Sequence, residues 1–307
     1  MGKAMKGLKK VALIGLGAMG VLYSDLLQQA IPDDFFVIAD KNRIKRYERE
    51  GIYCNNVRCT FSYRSKENAV PVDLLIVGVK FGGLQEAIAE AAPFVQKGTV
   101  IISLLNGISS EKVLQEAFPE AHVLYCIAQG MDAVKVGNQA SYLHKGVLVL
   151  GESDGQQSEA LQAIGQLFDR VEVPYVYSDA IMRKLWSKLM LNTGINQVVM
   201  VYEGTYATVQ HAGEAREMMV NTMREVMQVA NAEGINLNEE DVQGWLTIAD
   251  GLNPEGMPSM RQDGMAKRYS EVELFSGTVI PLAQKHGIDV PNCRELYQRI
   301  KEMEAAY

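Results

Sequence analysis

Lys188, Asn192 and Asn196 stand four residues apart in the run Leu185-Trp186-Ser187-Lys188-Leu189-Met190-Leu191-Asn192-Thr193-Gly194-Ile195-Asn196. On a helix that spacing makes one polar stripe, flanked by Leu189, Met190, Leu191 and Ile195. Polar groups on a largely apolar helix need partners. A polar ligand would supply them, and a structural network of buried amides is the other way to satisfy them. Nearer the C-terminus, Pro258-Ser259-Met260-Arg261-Gln262-Asp263 leads into Tyr269-Ser270-Glu271-Val272-Glu273. Here Ser259 reads as a helix cap, and Glu271 as one of two carboxylates in a first helical turn, where the helix dipole favours acids. Nothing local marks Glu271 as catalytic. His122, His144, His211 and His286 are dispersed without metal-ligand spacing, and no G-x-S-x-G elbow occurs. Zinc chemistry and a serine hydrolase triad therefore find no support.

A second group of residues points to a phosphate. Gly15-Leu16-Gly17-Ala18-Met19-Gly20 is G-x-G-x-x-G, directly after an apolar strand and opening a helix, as a dinucleotide-binding turn requires. The first glycine permits the turn, the second lets the backbone approach a pyrophosphate, and the third lets helix pack on strand. The helix start at Ala18 and Met19 then offers N–H groups and a positive dipole end to the phosphates. Twenty residues after Gly20 stands Asp40, where a carboxylate accepts hydrogen bonds from ribose hydroxyls and favours NAD over NADP. Lys41, Arg43, Lys45 and Arg46 follow at once, and such a cluster either pairs with a 2′-phosphate or forms a solvated helix face. The sequence leaves that choice open.

These groups need elements to hold them. Up to about residue 178, short β-rich runs alternate with helical patterns, which predicts a parallel sheet with crossover helices. Strands are predicted at Val11 to Gly15, Phe35 to Ala39, Leu74 to Val79, Val100 to Leu104, Val123 to Ile127 and Val147 to Gly151. Helices are predicted at Ala18 to Gln29, Leu84 to Val95 and Ser110 to Phe118. The third strand ends at Lys80 and the fourth runs into Asn106-Gly107. Ligands of doubly wound sheets bind outside the carboxyl ends of strands, which places Lys80 and Asn106 where they would lie. Beyond about residue 180, strand signals nearly vanish and helices dominate: Ile181 to Val201, Glu214 to Ala232 and Val272 to His286. The segment from Val171 to Asp179, with Pro174 inside it, reads as the junction.

The chain has 307 residues, which at roughly 150 per domain suggests two. The reading is an α/β fold: a Rossmann-type doubly wound domain over residues 1–179, followed by an all-α domain over 180–307. With 48% hydrophobic and 22% charged residues, disorder and fibrous classes are excluded. A net charge of −7 and a pI near 5.3 argue against nucleic acid as a main ligand. Cys54, Cys59, Cys126 and Cys293 form neither a disulfide framework nor a C-x-x-C pair, which fits a reducing, cytoplasmic setting. No apolar run approaches the ~20 residues of a membrane span. The lysine-rich start from Met1 to Lys10 has the outline of a signal peptide, but the apolar run after it is short and broken by Gly15, Gly17 and Gly20, against a secretory reading.

Together these residues resemble the ketopantoate reductase family, the 2-dehydropantoate 2-reductases of pantothenate biosynthesis, over nearly the whole chain. The most specific part is Trp186-x-Lys188-x-x-x-Asn192-x-x-x-Asn196 combined with Ser259-Met260-x-Gln262-Asp263 and, twelve residues beyond Ser259, Glu271. The resemblance implies a Rossmann domain joined to a helical domain like that of 6-phosphogluconate dehydrogenase, and an enzyme with a small 2-keto acid as substrate; the long C-terminal helices are compatible with a homodimer, and the choice between monomer and homodimer stays open. By position, Lys188 resembles the family's general acid and Glu271 its active-site glutamate. Asn106 resembles the residue near the nicotinamide and the reacting carbonyl, and Lys80 the lysine that contacts the cofactor. Asn192, Asn196 and Ser259 resemble the substrate-binding set, while Gly15, Gly17, Ala18, Met19, Gly20, Asp40 and Lys41 fall in the cofactor-binding set.

Physically the assignment is coherent. A lysine near its ordinary pKa of about 10.4 is protonated at neutral pH, so it donates a proton and stabilises a developing alkoxide. The family resemblance implies NADP(H), whereas Asp40 stands where the family usually has an uncharged or basic residue and admits NAD(H). Ser276-Gly277 replaces the family's common Asn-Gly pair, an expected change in one substrate contact. Relatives on the same scaffold that reduce other branched 2-keto acids with NADH, the D-mandelate type dehydrogenases, accommodate both departures. The glycine turn also resembles that of the β-hydroxyacid dehydrogenases, but those add a glycine-rich segment just before the lysine, and Asp179 to Ser187 contains no glycine. A non-catalytic NAD(P) sensor would have no need for both Lys188 and Glu271.

Overall fold

The computed structural model describes residues 7–307, so residues 1–6 of the lysine-rich start lie outside the described residues. The chain divides into two compact units. One runs to Leu105 and resumes over Ser110–Ile181; the other comprises Asn106–Ser109 and Met182–Tyr307.

In chain order the first unit contains β1 (Val11–Ile14), α1 (Ala18–Ala30), β2 (Phe35–Ile38), α2 (Lys41–Glu50), and the short strands β3 (Tyr53–Cys54), β4 (Val57–Arg58) and β5 (Tyr63–Arg64). It continues through β6 (Leu74–Val77), α3 (Leu84–Ala91), β7 (Val100–Ser103), α4 (Ser110–Ala117) and β8 (His122–Met131). The unit ends with β9 (Val134–Val136), β10 (Gln139–Ser141), β11 (Lys145–Gly151), α5 (Glu159–Arg170) and β12 (Tyr175–Tyr177). Eight strands form one sheet in the order β12-β11-β8-β7-β6-β1-β2-β5. Every residue of β1, β2, β6 and β7 is buried, as expected of strands covered on both faces. Alternate residues feed two cores. Leu13, Val37, Ile76 and Ile102 pack with apolar residues of α1 and α5, whereas Ala12, Phe36, Leu75 and Ile101 pack with those of α3 and α4. β1 lies between β2 and β6, so the strand order reverses at β1 and its following turn opens at that switch point.

The second unit is helical: α6 (Ile181–Val201, all but its first residue), α7 (Ala207–Gln210), α8 (Glu214–Ala232), α9 (Glu239–Asp250), α10 (Ser259–Met265), α11 (Ser276–Lys285) and α12 (Pro291–Glu304). The second half of α6 is buried on nearly every side, the behaviour of a helix apolar all round. Gly194 lets it approach α8, since a Cβ there would lie 2.7 Å from Met223 Cγ and 3.1 Å from the Met219 carbonyl oxygen. α8, α11 and α12 pack on one another.

The architecture is thus a parallel-sheet α/β unit followed by a helical one, with local departures from the sequence reading. β11 runs antiparallel to β8, because their connection through β9 and β10 contains no crossover helix. The supposed junction contains a strand, β12, parallel to β11 at the sheet's edge; Pro174 just before it is tolerated there and its carbonyl accepts from Leu148 N–H. A second sheet, β4-β3-β10-β9, is built from strands of two or three residues, too short to show a period. The helix expected to reach Val95 ends at Ala91, ahead of Pro93. The helix expected from Val272 to His286 is broken at Phe275 (φ −103°, ψ −104°) into a 3-10 turn, Val272–Leu274, and α11.

Candidate active site

In the first unit, the glycine turn has the shape of a phosphate cradle. Gly15 sits at φ +101°, and a Cβ on it would lie 2.7 Å from the backbone of Gly78 and Val79. A Cβ on Gly20 would fall 1.8 Å from the Gly15 carbonyl oxygen, so α1 is seated directly on the turn. Gly17 differs: its Cβ would meet nothing nearer than the Gly78 carbonyl oxygen at 3.7 Å. Gly17 is the N-cap of α1, with no side-chain cap and no acid in the first turn. The backbone at Gly17, Ala18 and Met19 thus presents a helix N-terminus beside open space, which fits the pyrophosphate of a dinucleotide.

Asp40 is the N-cap of α2. Its Oδ1 accepts from the N–H groups of Asn42 at 2.8 Å and Arg43 at 2.9 Å, and Oδ2 lies 3.4 Å from Arg43 Nε. Arg43 also makes a two-pronged pair with Glu86, at 3.0 and 3.1 Å. Lys41 lies 3.5 Å from Glu67. Two members of the basic cluster therefore already face carboxylates. Lys80 is exposed and precedes a 3-10 turn, Phe81–Gly83, accepting through its carbonyl from Gly83 N–H.

In the second unit, three residues far apart in sequence join in one hydrogen-bonded line. Lys188 Nζ donates to Asn106 Oδ1 at 3.2 Å, and Asn106 Nδ2 donates to Glu271 Oε2 at 2.9 Å. The amide thereby has its orientation fixed from both ends, oxygen to the ammonium and nitrogen to the carboxylate. Its segment is held by Gly107 (φ +88°), where a Cβ would lie 3.1 Å from the Leu274 carbonyl oxygen, and by the Ser109 Oγ to Thr278 Oγ1 hydrogen bond at 3.0 Å.

Asn192 and Asn196 continue the Lys188 stripe along α6 and are 9% and 8% exposed. A buried polar network lies one residue beyond Asn196. Gln197 Nε2 donates to the Thr193 carbonyl at 2.7 Å and to Ser276 Oγ at 2.8 Å. Ser276 is fully buried in this pair. Sequence reasoning missed Gln197, which stands outside the four-residue spacing of Lys188, Asn192 and Asn196.

Ser259 is not the cap of α10: Pro258 holds that position and the exposed Ser259 is the first helical residue. Beside it, Gln262 donates to the Met257 carbonyl and Asp263 pairs with Arg268 at 2.9 Å, so these two serve the loop. Glu271 precedes the 3-10 turn instead of standing within a first α-helical turn, and its carbonyl accepts from Leu274 N–H. Among the described residues no three His, Cys, Asp or Glu are grouped so as to hold a metal ion, no helix is long and apolar enough to cross a membrane, and all four cysteines are free.

This chemistry can be set beside known proteins. A 2-dehydropantoate 2-reductase of Streptococcus pyogenes serotype M3 is 23% identical over 300 residues, covering 96% of this chain and 98% of that protein. The solved structure of a dimeric ketopantoate reductase from Staphylococcus aureus shares the fold with a TM-score of 0.79 at 24% identity, covering 97% and 99% of the two chains. A D-mandelate dehydrogenase solved with NADH and anilino(oxo)acetate shares it at 0.83 and 22% identity, with the same coverage. The family model for ketopantoate reductase PanE/ApbA matches residues 11–155, and that for the ketopantoate reductase PanE/ApbA C terminal matches 180–304. With both models covering most of its length, the chain belongs to the ketopantoate reductase family.

Proposed function

We propose that this protein is a 2-dehydropantoate 2-reductase, reducing the 2-keto group of its substrate to D-pantoate with a reduced nicotinamide cofactor. The observation that carries the reading is the Lys188–Asn106–Glu271 line. The glycine turn of the first unit, with Asp40, Lys41 and Lys80, would hold the cofactor. When bound, the cofactor supplies the hydride that adds to the carbonyl carbon. Lys188 hands an Nζ proton to the carbonyl oxygen as the C=O electron pair moves onto it, and recovers a proton from solvent. Asn106 aims the ammonium, Glu271 fixes Asn106, and the charge of Lys188 opposes the developing alkoxide. Asn192, Asn196 and Ser259 would bind the carboxylate and hydroxyl of the substrate, for which neutral amides and a hydroxyl are suitable partners.

The carboxylates facing Arg43 and Lys41 support NADH over NADPH, since cations already paired are poorly placed to take a 2′-phosphate. The dimeric S. aureus relative supports a homodimer, which light scattering in solution would test. A second reading is an NADH-dependent dehydrogenase of another branched 2-keto acid, favoured by Asp40 and by the fold shared with D-mandelate dehydrogenase. Steady-state absorbance at the nicotinamide band, with 2-dehydropantoate and other 2-keto acids against NADH and NADPH, separates the two. Turnover of 2-dehydropantoate with the highest kcat/KM supports the first; no turnover with either cofactor refutes it.

A further inference from the structure

We propose that Glu304, the last residue of α12, is a positioning residue for Glu271, a role that rests on the reductase reading above. Glu304 is only 3% exposed, although only three residues follow it in this sequence. Its Oε1 accepts from Ser270 N–H at 2.7 Å and from Ser270 Oγ at 2.6 Å. Ser270 directly precedes Glu271, and its Oγ accepts in turn from Val272 N–H at 3.3 Å. The backbone on both sides of Glu271 is thus tied to one buried carboxylate.

The other flank is held by the same helix. Tyr297 OH donates to Glu273 Oε1 at 3.0 Å, and Lys301 Nζ lies 3.1 Å from that oxygen and 3.6 Å from Glu304 Oε2. Glu271 leads a 3-10 turn and not a regular helix, so its neighbours supply little regularity of their own. Charge-assisted bonds to Ser270 fix the peptide from which the Glu271 side chain reaches Asn106 Nδ2. The line then runs from Glu304 through Ser270, Glu271 and Asn106 to the Lys188 ammonium. Small misplacements of a reacting group cost rate far more than binding.

The helix contains its own control. At the opposite end of α12, Glu225 of α8 is also buried, at 6% exposure, and also accepts backbone N–H groups, from Asn292 and Cys293, each at 2.8 Å. Among the described residues its hydrogen bonds go to Asn292 and Cys293 at the start of α12 and not to the segment around Glu271. A role confined to stability would be shared by both carboxylates; positioning belongs to Glu304 alone.

The experiment compares E304A, E304Q and E225A in the full chain by steady-state kinetics with 2-dehydropantoate, thermal unfolding, and amide hydrogen exchange of the segment 268–275. E304A is expected to lower kcat about tenfold with KM changed less than about twofold, and to speed exchange in that segment. E304Q, whose amide oxygen can still accept both Ser270 donors, is expected to recover most of kcat. E225A is expected to lower Tm with kcat within about twofold. Equal kcat losses in E304A and E225A, or unchanged exchange over 268–275 in E304A, would overturn the proposal. If the wild-type protein does not reduce 2-dehydropantoate, the reductase reading falls by itself and the exchange comparison still decides this one.

Discussion

Lys188 and Asp40 carry the sharpest expectations about single side chains. Lys188→Ala removes the proposed proton donor and leaves the glycine turn intact, so kcat should fall by about 10²–10⁴ while cofactor affinity measured by nicotinamide fluorescence stays near wild type. Equal losses in both would make Lys188 a binding residue. Asp40→Ser should move the kcat/KM ratio towards NADPH, because it removes the proposed ribose acceptor and one of the two carboxylates facing Arg43. An unchanged ratio would show that Asp40 serves only to cap α2. Glu111, at the start of α4, gives a prediction about pH. Burial pushes its carboxyl up to about 7, and Ser110 Oγ donates to it at 3.0 Å. The folded chain therefore holds the proton more tightly than the unfolded one, where the ordinary value is 4.5. The resulting stabilisation is full below about 4.5 and is lost as pH rises through about 7. Thermal unfolding from pH 5 to 8 should show that decline, and Glu111→Gln should flatten it. The stripe of Lys188, Asn192 and Asn196 was legible because spacing on one segment exposes it, whereas nothing local marks Glu271 and only the family resemblance pointed to it. Gln197 with Ser276, and Glu304 with Ser270, were not legible, since their partners lie 79 and 34 residues away and no local pattern links them.

Among the elements, the turn after β1 separates what the fold needs from what a ligand needs. Gly20→Ala would force a Cβ against the Gly15 carbonyl and should destabilise the protein by about 1–3 kcal/mol or more, read by denaturant titration. Gly17→Ala meets no atom within 3.4 Å, so stability should hold while dinucleotide binding weakens at least tenfold. A Gly17→Ala variant that binds as wild type would place the pyrophosphate elsewhere. Sequence periodicity located α6 and α8 from first residue to last, because both are long and their ends coincide with changes of pattern. It failed at Phe275, where the apolar pattern continues through a backbone break, and in β9 and β10, which hold three residues each. It also assumed that every strand needs a crossover; the antiparallel β8–β11 pair shows a shorter route.

For the molecule as a whole, each unit buries its own core, and the two differ in what they would bind. A reduced dinucleotide at a hundredfold its Kd should stabilise the unit bearing the glycine turn by about 2.7 kcal/mol, seen in scanning calorimetry as an upward shift that Gly17→Ala cuts to about half or less at the same ligand concentration. The count of two was legible from length and from the change of pattern near residue 180. The path of the chain was not. Four residues, Asn106–Ser109, leave the sheet-bearing unit after Leu105, count with the helices, and the chain then returns at Ser110. The chain thus crosses between the units three times, and no single cut parts them. A fragment starting at Met182 would fold, if at all, without the amide that Lys188 and Glu271 share, and a fragment ending at Ile181 would carry that amide with neither of its partners. Laboratory shuffling of the halves between relatives should succeed only when the tetrapeptide 106–109 travels with the helices.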